Sequence, residues 1–182
     1  MISLSATEHL PSFDDPIEML LACHGRILSQ CDTLRKLTTH LTSHGCDQQV
    51  QQAATNIMRY FDTAGQFHHQ DEEEDLFPAL RISANADKSY LDSLFVRLLK
   101  EHAEMFDVWI KLRPELFQLS QGVQVTLADS LIESFIFKYT SHIAVEEEEL
   151  LPLSMRLLDS QQMIKIGKRM AERRGAKLDF GN

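Results

Sequence analysis

The chain has 182 residues, 43% of them hydrophobic, and a formal net charge of −9. That length defaults to one domain with a sizeable core, and no apolar run approaches the roughly 18 residues needed to cross a bilayer. The acidic balance argues against nucleic acid or an anionic membrane as partner.

Helical periodicity dominates and strand alternation is nearly absent. Residues 1–14 are expected to be a loosely ordered segment. With Glu8, Asp14 and Asp15 and no basic start, they do not read as a signal peptide, so a cytoplasmic location is expected. The first helix starts at Asp15, with Pro16 at the first helical position and Glu18 as capping-box partner. Its apolar stripe is Ile17, Leu20, Leu21, His24, Ile27, Leu28, Cys31 and Leu34, and it ends near Ser43-His44-Gly45. Cys23, Cys31 and Cys46 form no C-x-x-C pair and read as reduced packing residues. Asp47 caps the second helix, whose stripe is Ala54, Ile57, Phe61, Ala64, His68, Glu72 and Leu76; Pro78 should bend or end it. The third helix follows Ala86-Asp87, with stripe Leu91, Leu94, Phe95, Leu98, His102, Met105, Phe106 and Trp109 and a kink expected at Pro114. Ser120-Gln121-Gly122 is a turn. The fourth helix carries Ala128, Leu131, Ile132, Phe135, Tyr139, His142, Glu146 and Leu150, with Pro152 placed as Pro78 is in the second. Ser160 is expected to cap a short fifth helix ending near Gly175.

Four long amphipathic helices with short connections predict an all-α, antiparallel up-down-up-down four-helix bundle over residues 15–158. A short extra C-terminal helix and tail occupy 159–182. The second and fourth helices form a weak internal repeat. Counted from His68 and from His142 alike, an acid falls at +4, a second acid at +5, Leu at +8 and Pro at +10.

Each of the four helices places one His on its apolar stripe: His24, His68, His102 and His142. Glu72 and Glu146 follow two of them one turn later, on the same face. All six lie near mid-helix and can meet at one level of the bundle. Two buried, facing carboxylates repel unless something positive lies between them. Two cations bridged by both carboxylates, with neutral imidazoles as terminal ligands, would resolve that conflict and leave open positions; the ligand set suits iron, with zinc or manganese as alternatives. The His-x-x-x-acid spacing is weak by itself, since roughly one such pair is expected by chance in a chain of this composition. A single imidazole on an apolar stripe is ordinarily a satisfied core residue. Four of them with two carboxylates have no equally simple structural explanation.

His69/Glu73 competes with His68/Glu72. His68 shares a face with Phe61, Ala64 and Gly65, whereas His69 shares one with Asp62 and Gln66 and reads as more exposed, so His68/Glu72 is preferred. Glu73, Glu74, Glu147, Glu148 and Glu149 read as a solvated face, with a role around the metal ligands as the alternative for them. His9, His40 and His44 read as surface residues. Tyr139 points inward one turn before His142, as a core residue or as a hydrogen-bond donor to a bound oxygen species.

In the segments ACHGRIL, FHHQDEEEDLFPAL, KEHAEMF and SHIAVEEEELLPL the chain resembles the hemerythrin-like, or HHE cation-binding, family over roughly residues 15–158. The resemblance implies a four-helix bundle with a non-haem di-iron centre that binds dioxygen or related small ligands. By matching position it implies His24, His68, Glu72, His102, His142 and Glu146 as metal ligands. Two departures stand out. Oxygen-carrying members have a second His one turn after the first on the third helix, where this chain has Phe106. On the fourth helix the acid falls at +4, with Glu147 at +5 as a competitor. The chain looks more like a six-ligand branch, which puts simple reversible oxygen carriage in doubt. Ferritin-like bundles use Glu-x-x-His instead, and no His here has a Glu three residues before it.

The expected function is a protein with two carboxylate-bridged irons per chain that binds or senses dioxygen, nitric oxide or peroxide. The alternatives are a di-iron oxidoreductase consuming peroxide or nitric oxide, and an iron-handling or iron-centre repair protein. A structural bundle holding adventitious zinc is the plainest rival. No second domain is legible, so sensing would require a partner protein.

Overall fold

The computed structural model describes residues 12–84 and 86–176. The expected loose segment lies, up to Pro11, outside the described residues, and so does His9. Among the described residues every regular element is a helix.

Helix α1 (Pro16–His44) begins as its sequence dictates. Asp15 Oδ1 accepts the Glu18 N–H at 2.9 Å, and Pro16 sits where no N–H is needed. Gly45, at φ 72°, ends it and returns its N–H to the Leu41 carbonyl. Asp47 caps α2 (Gln48–Asp62) by accepting from the N–H groups of Gln49 and Val50. After a break at Thr63 (φ −129°, ψ −84°) the chain resumes as α3 (Ala64–Gln70). There follow α4 (Phe77–Ser83), α5 (Lys88–Ser120), α6 (Asp129–Val145), α7 (Leu151–Leu157) and α8 (Ser160–Arg173). Helix α5 runs on through Pro114. The cap of α8 is Asp159 rather than Ser160, in a capping box with Gln162.

Pro78 and Pro152 neither end their helices nor leave them as α-helix. Each is preceded by a π turn, Asp71–Leu76 and Glu146–Leu150. Proline has no N–H, and its ring crowds the carbonyl four residues back. The ladder widens to accommodate it. The Phe77 N–H reaches the Glu72 carbonyl and the Leu151 N–H reaches the Glu146 carbonyl, five residues back in both cases. The internal repeat is therefore a repeat of π turns, with the carboxylate of each His/Glu pair at the start: Glu146 opens the second turn and Glu72 is the second residue of the first.

Helices α2 and α6 each pack against both α1 and α5, which closes a helical bundle around two apolar clusters. One contains Ile27, Leu34, Ile57, Leu112 and Phe135. The other contains Leu20, Leu76, Phe95, Leu98 and Leu150. His24, His68, Glu72, His102, His142 and Glu146 fall in sequence between members of the two clusters and form a buried polar layer that divides the core. Cys23 and Cys31 are buried, and all three cysteines are free thiols. Four expected stripe residues face outward: Leu21, Leu28 and Phe106, at 43%, 38% and 54% exposure, and Ala128, just ahead of α6. On α5 the inward positions are taken by His102, Met105, Val108, Trp109 and Leu112, and Phe106 stands one residue, about 100° of helix, past Met105.

Helix α8 lies across α1 and the first π turn. Gly167 makes that approach feasible, because a Cβ there would stand 1.9 Å from the Phe13 carbonyl oxygen. Gly167→Ala should cost about 1–3 kcal/mol through overpacking, read as a lowered midpoint in thermal or urea unfolding. No helix among the described residues is long and apolar enough to cross a membrane.

Candidate metal centre

The six side chains singled out in the sequence converge. Their exposures run from 0% for His68, Glu72 and Glu146 to 5% for His102. His24 comes from α1, His68 from α3, His102 from α5 and His142 from α6, while Glu72 and Glu146 stand in the two π turns. They form two overlapping groups. His24, His68, Glu72 and Glu146 present ligand atoms within 4.8 Å of one another, and so do Glu72, His102, His142 and Glu146. Both carboxylates belong to both groups.

The contacts describe a cage built for cations. Glu146 stands 2.8 Å from His142 Nε2 and 3.1 Å from His24 Nε2, and Glu72 is 3.4 Å from His102 Nε2 and 3.5 Å from His68 Nε2. None of the four carboxylate oxygens takes part in a well-formed hydrogen bond, although all are sealed from solvent. Burying such groups unpaired is costly, so their arrangement calls for a positive partner. The Nε2 atoms of His102 and His142 are 3.0 Å apart. Two nitrogens held about 2.1 Å from one ion at right angles would have about that separation. The donor set and its spacing fit divalent transition metals.

Electrostatics point the same way. Burial and the charge of Glu146 push Glu72 up to about 7. Burial also opposes ionisation of Glu146, but His142, His102 and His24 outweigh it and hold that carboxyl well below its ordinary range. Burial would lower His102, yet Glu146, Glu72 and Glu73 push it up to about 11, and His24 and His142 are raised against burial in the same way. The metal-free centre balances its carboxylates with imidazolium protons, which cations would replace.

The family model described as "Hemerythrin HHE cation binding domain" matches residues 15–154. A protein of Haemophilus influenzae, described only as uncharacterized, is 34% identical over 170 residues, covering 93% of this chain and 96% of the relative. The chain belongs to the hemerythrin HHE cation-binding family. Metal binding follows from that membership.

In this hemerythrin domain three imidazoles are held from behind. His24 Nδ1 donates to Glu147 at 2.9 Å, His102 Nδ1 to Glu73 at 2.6 Å and His142 Nδ1 to Glu101 at 2.8 Å. A carboxylate can only accept, so each Nδ1 carries a proton, and Nε2 is the nitrogen turned into the cage, where a cation would take the place of its second proton. Glu73 and Glu147 were read as a solvated face, and as residues they are 39% and 43% exposed, yet their carboxylate tips reach inward. Glu147, the competitor to Glu146, backs His24 instead of entering the cage. Glu101 was missed, and nothing in its spacing marks it. Glu101→Ala should lower metal affinity about 10–100-fold with the fold intact, measured by competition with a chromophoric chelator.

His69 is more exposed than His68, as expected, but it does not stand in solvent. It is half-buried, its Nε2 is sealed without a partner, and its ring stacks on His102 at 4.0 Å. Of the residues expected on its face, Gln66 is exposed and Asp62 is half-buried. Asp62 receives hydrogen bonds from Trp109 Nε1 and Arg113 of α5. Tyr139 is buried, as expected, among Phe61 and Phe135, with the His69 ring 6.2 Å away. His40 is half-buried, hydrogen-bonded to Asp47 and stacked on exposed His44.

Asp71, beside Glu72, is 1% exposed. Arg174 grips both its oxygens, at 2.6 and 3.1 Å, and Arg173 of α8 joins it, also reaching Glu74 and Asp75. Helix α8 and the arginine that follows it thus pin the first π turn of the domain.

Proposed function

We propose that this hemerythrin domain holds two irons per chain in the cytoplasm and binds or senses dioxygen, nitric oxide or peroxide there. In this reading the irons sit at mid-level of an up-down-up-down four-helix bundle. His24, His68, His102 and His142 would hold the two ions, together with Glu72 and Glu146, which belong to both groups. The observation that supports it most is the pair of buried carboxylates, with no well-formed hydrogen bond, each shared between two groups of imidazoles. Iron bound there supplies a redox-active Lewis acid for a small ligand.

The chain's own residues do the rest. Glu73, Glu101 and Glu147 orient three imidazoles and raise their basicity. The apolar clusters on either side keep bulk water from the layer. With every proposed ligand at most 5% exposed, the centre suits molecules of two or three atoms rather than larger substrates.

Anaerobically iron-loaded protein should gain a visible absorption band on addition of dioxygen or nitric oxide, and zinc-loaded protein should not. An iron-loaded protein indifferent to dioxygen, nitric oxide and peroxide would overturn the reading. Sustained consumption of peroxide or nitric oxide would move it to the oxidoreductase class.

A further inference from the structure

The six proposed ligands leave one interior imidazole unused. His69 Nε2 is sealed from solvent and has no hydrogen-bond partner. One nitrogen of His69 lies within 4.8 Å of ligand nitrogens of both His102 and His142. Its ring is almost parallel to His102 (centroids 4.0 Å, 12°) and stands edge-on to His142 (6.1 Å, 76°). An imidazole carries at least one ring N–H whatever its protonation state, so His69 has a donor to offer.

The stacking decides between two roles. A nitrogen binds a metal along its lone pair, in the plane of its own ring. Parallel planes do not meet, so a cation in line with His102 lies outside the plane of His69. His69 is therefore poorly aimed to share the ion of His102, but it overlooks the space beside that ion. Phe106, which takes the place of a second third-helix His, points to solvent, so it brings no side chain to that side of the cluster.

We propose that His69 is the ligand-contacting residue of this centre. It donates a hydrogen bond from Nε2 to a small anionic or oxygen-containing molecule taken up on the His102–His142 side. This rests on the iron reading above.

The test uses azide as probe. The full chain is loaded with ferric iron and titrated with azide, followed by the ligand-to-metal absorption band, with iron measured on the same samples. His69→Phe keeps an aromatic ring against His102 but has no N–H, whereas His69→Gln keeps a donor of similar reach. His69→Phe should retain its iron and bind azide about tenfold more weakly or worse, as expected for a lost hydrogen bond to a charged group. His69→Gln should recover most of the affinity. Equal azide affinity in wild type and His69→Phe would overturn the assignment. So would loss of iron from both variants, which would make His69 a ligand. Should His69→Phe fail to fold, His69→Gln and His69→Asn decide: Asn is too short to reach, so equal affinity in those two would overturn the proposal. Wild-type protein that takes up no iron, or no azide, would bring down the iron reading and this proposal together.

Discussion

Iron-loaded protein is expected to melt about 8–16 °C above the metal-free protein. The cage exists only in the folded chain, so metal binding adds to folding free energy. At free metal near 1,000 times the dissociation constant the gain is about 4.1 kcal/mol, and for a chain of this size each kcal/mol moves the midpoint by about 2–4 °C. The cause is local: two carboxylates that repel each other in a dry interior gain cations to share. Calorimetry with and without a strong chelator measures the shift. A midpoint that does not move would mean that the buried layer is stable without metal.

The second large effect belongs to Glu146. It lies within 3.9 Å of all four imidazoles, at 2.8 Å from His142, 3.1 Å from His24 and 3.9 Å from both His68 and His102. No other side chain in the layer touches so many of its partners. Glu146→Ala should cost both ions at once, with affinity falling at least ~100-fold, beyond what loss of an outer partner costs. Glu148→Ala, on the exposed side of the same π turn, should leave metal content unchanged. The check is metal content after identical loading and desalting. Retention of one full ion by Glu146→Ala would show that the carboxylate serves a single site. His102→Ala should likewise lose more metal than His69→Ala.

The central layer was legible because it breaks a strong pattern. His24, His68, His102 and His142 interrupt apolar stripes at helical spacing, and Glu72 and Glu146 repeat the interruption one turn later. The repeat of acid and proline counted from His68 and His142 falls on the two π turns, but it was read only as a repeat with a bend or an end at the proline. What was not legible lies outside the reach of a helical wheel. His69 was assigned a face by running one wheel from Asp62 through Gln66, but the chain breaks at Thr63. Asp62 itself faces Trp109 and Arg113, a pairing between distant segments that no local pattern predicts. Phe106, Leu21 and Leu28 show the opposite error, since an apolar residue beside a stripe need not belong to it. The outer carboxylates Glu73 and Glu147 belong to side chains 39% and 43% exposed, yet they bond inward. The grip of Arg173 and Arg174 on Asp71 joins residues about 100 positions apart.

Metal analysis of the protein purified from iron-replete cells tests the central claim most directly. Four buried imidazoles and two carboxylates common to both groups, in the proposed reading, predict about two irons per folded chain, lost on Glu146→Ala. Fully folded protein with no iron, and none taken up on anaerobic loading, would contradict it.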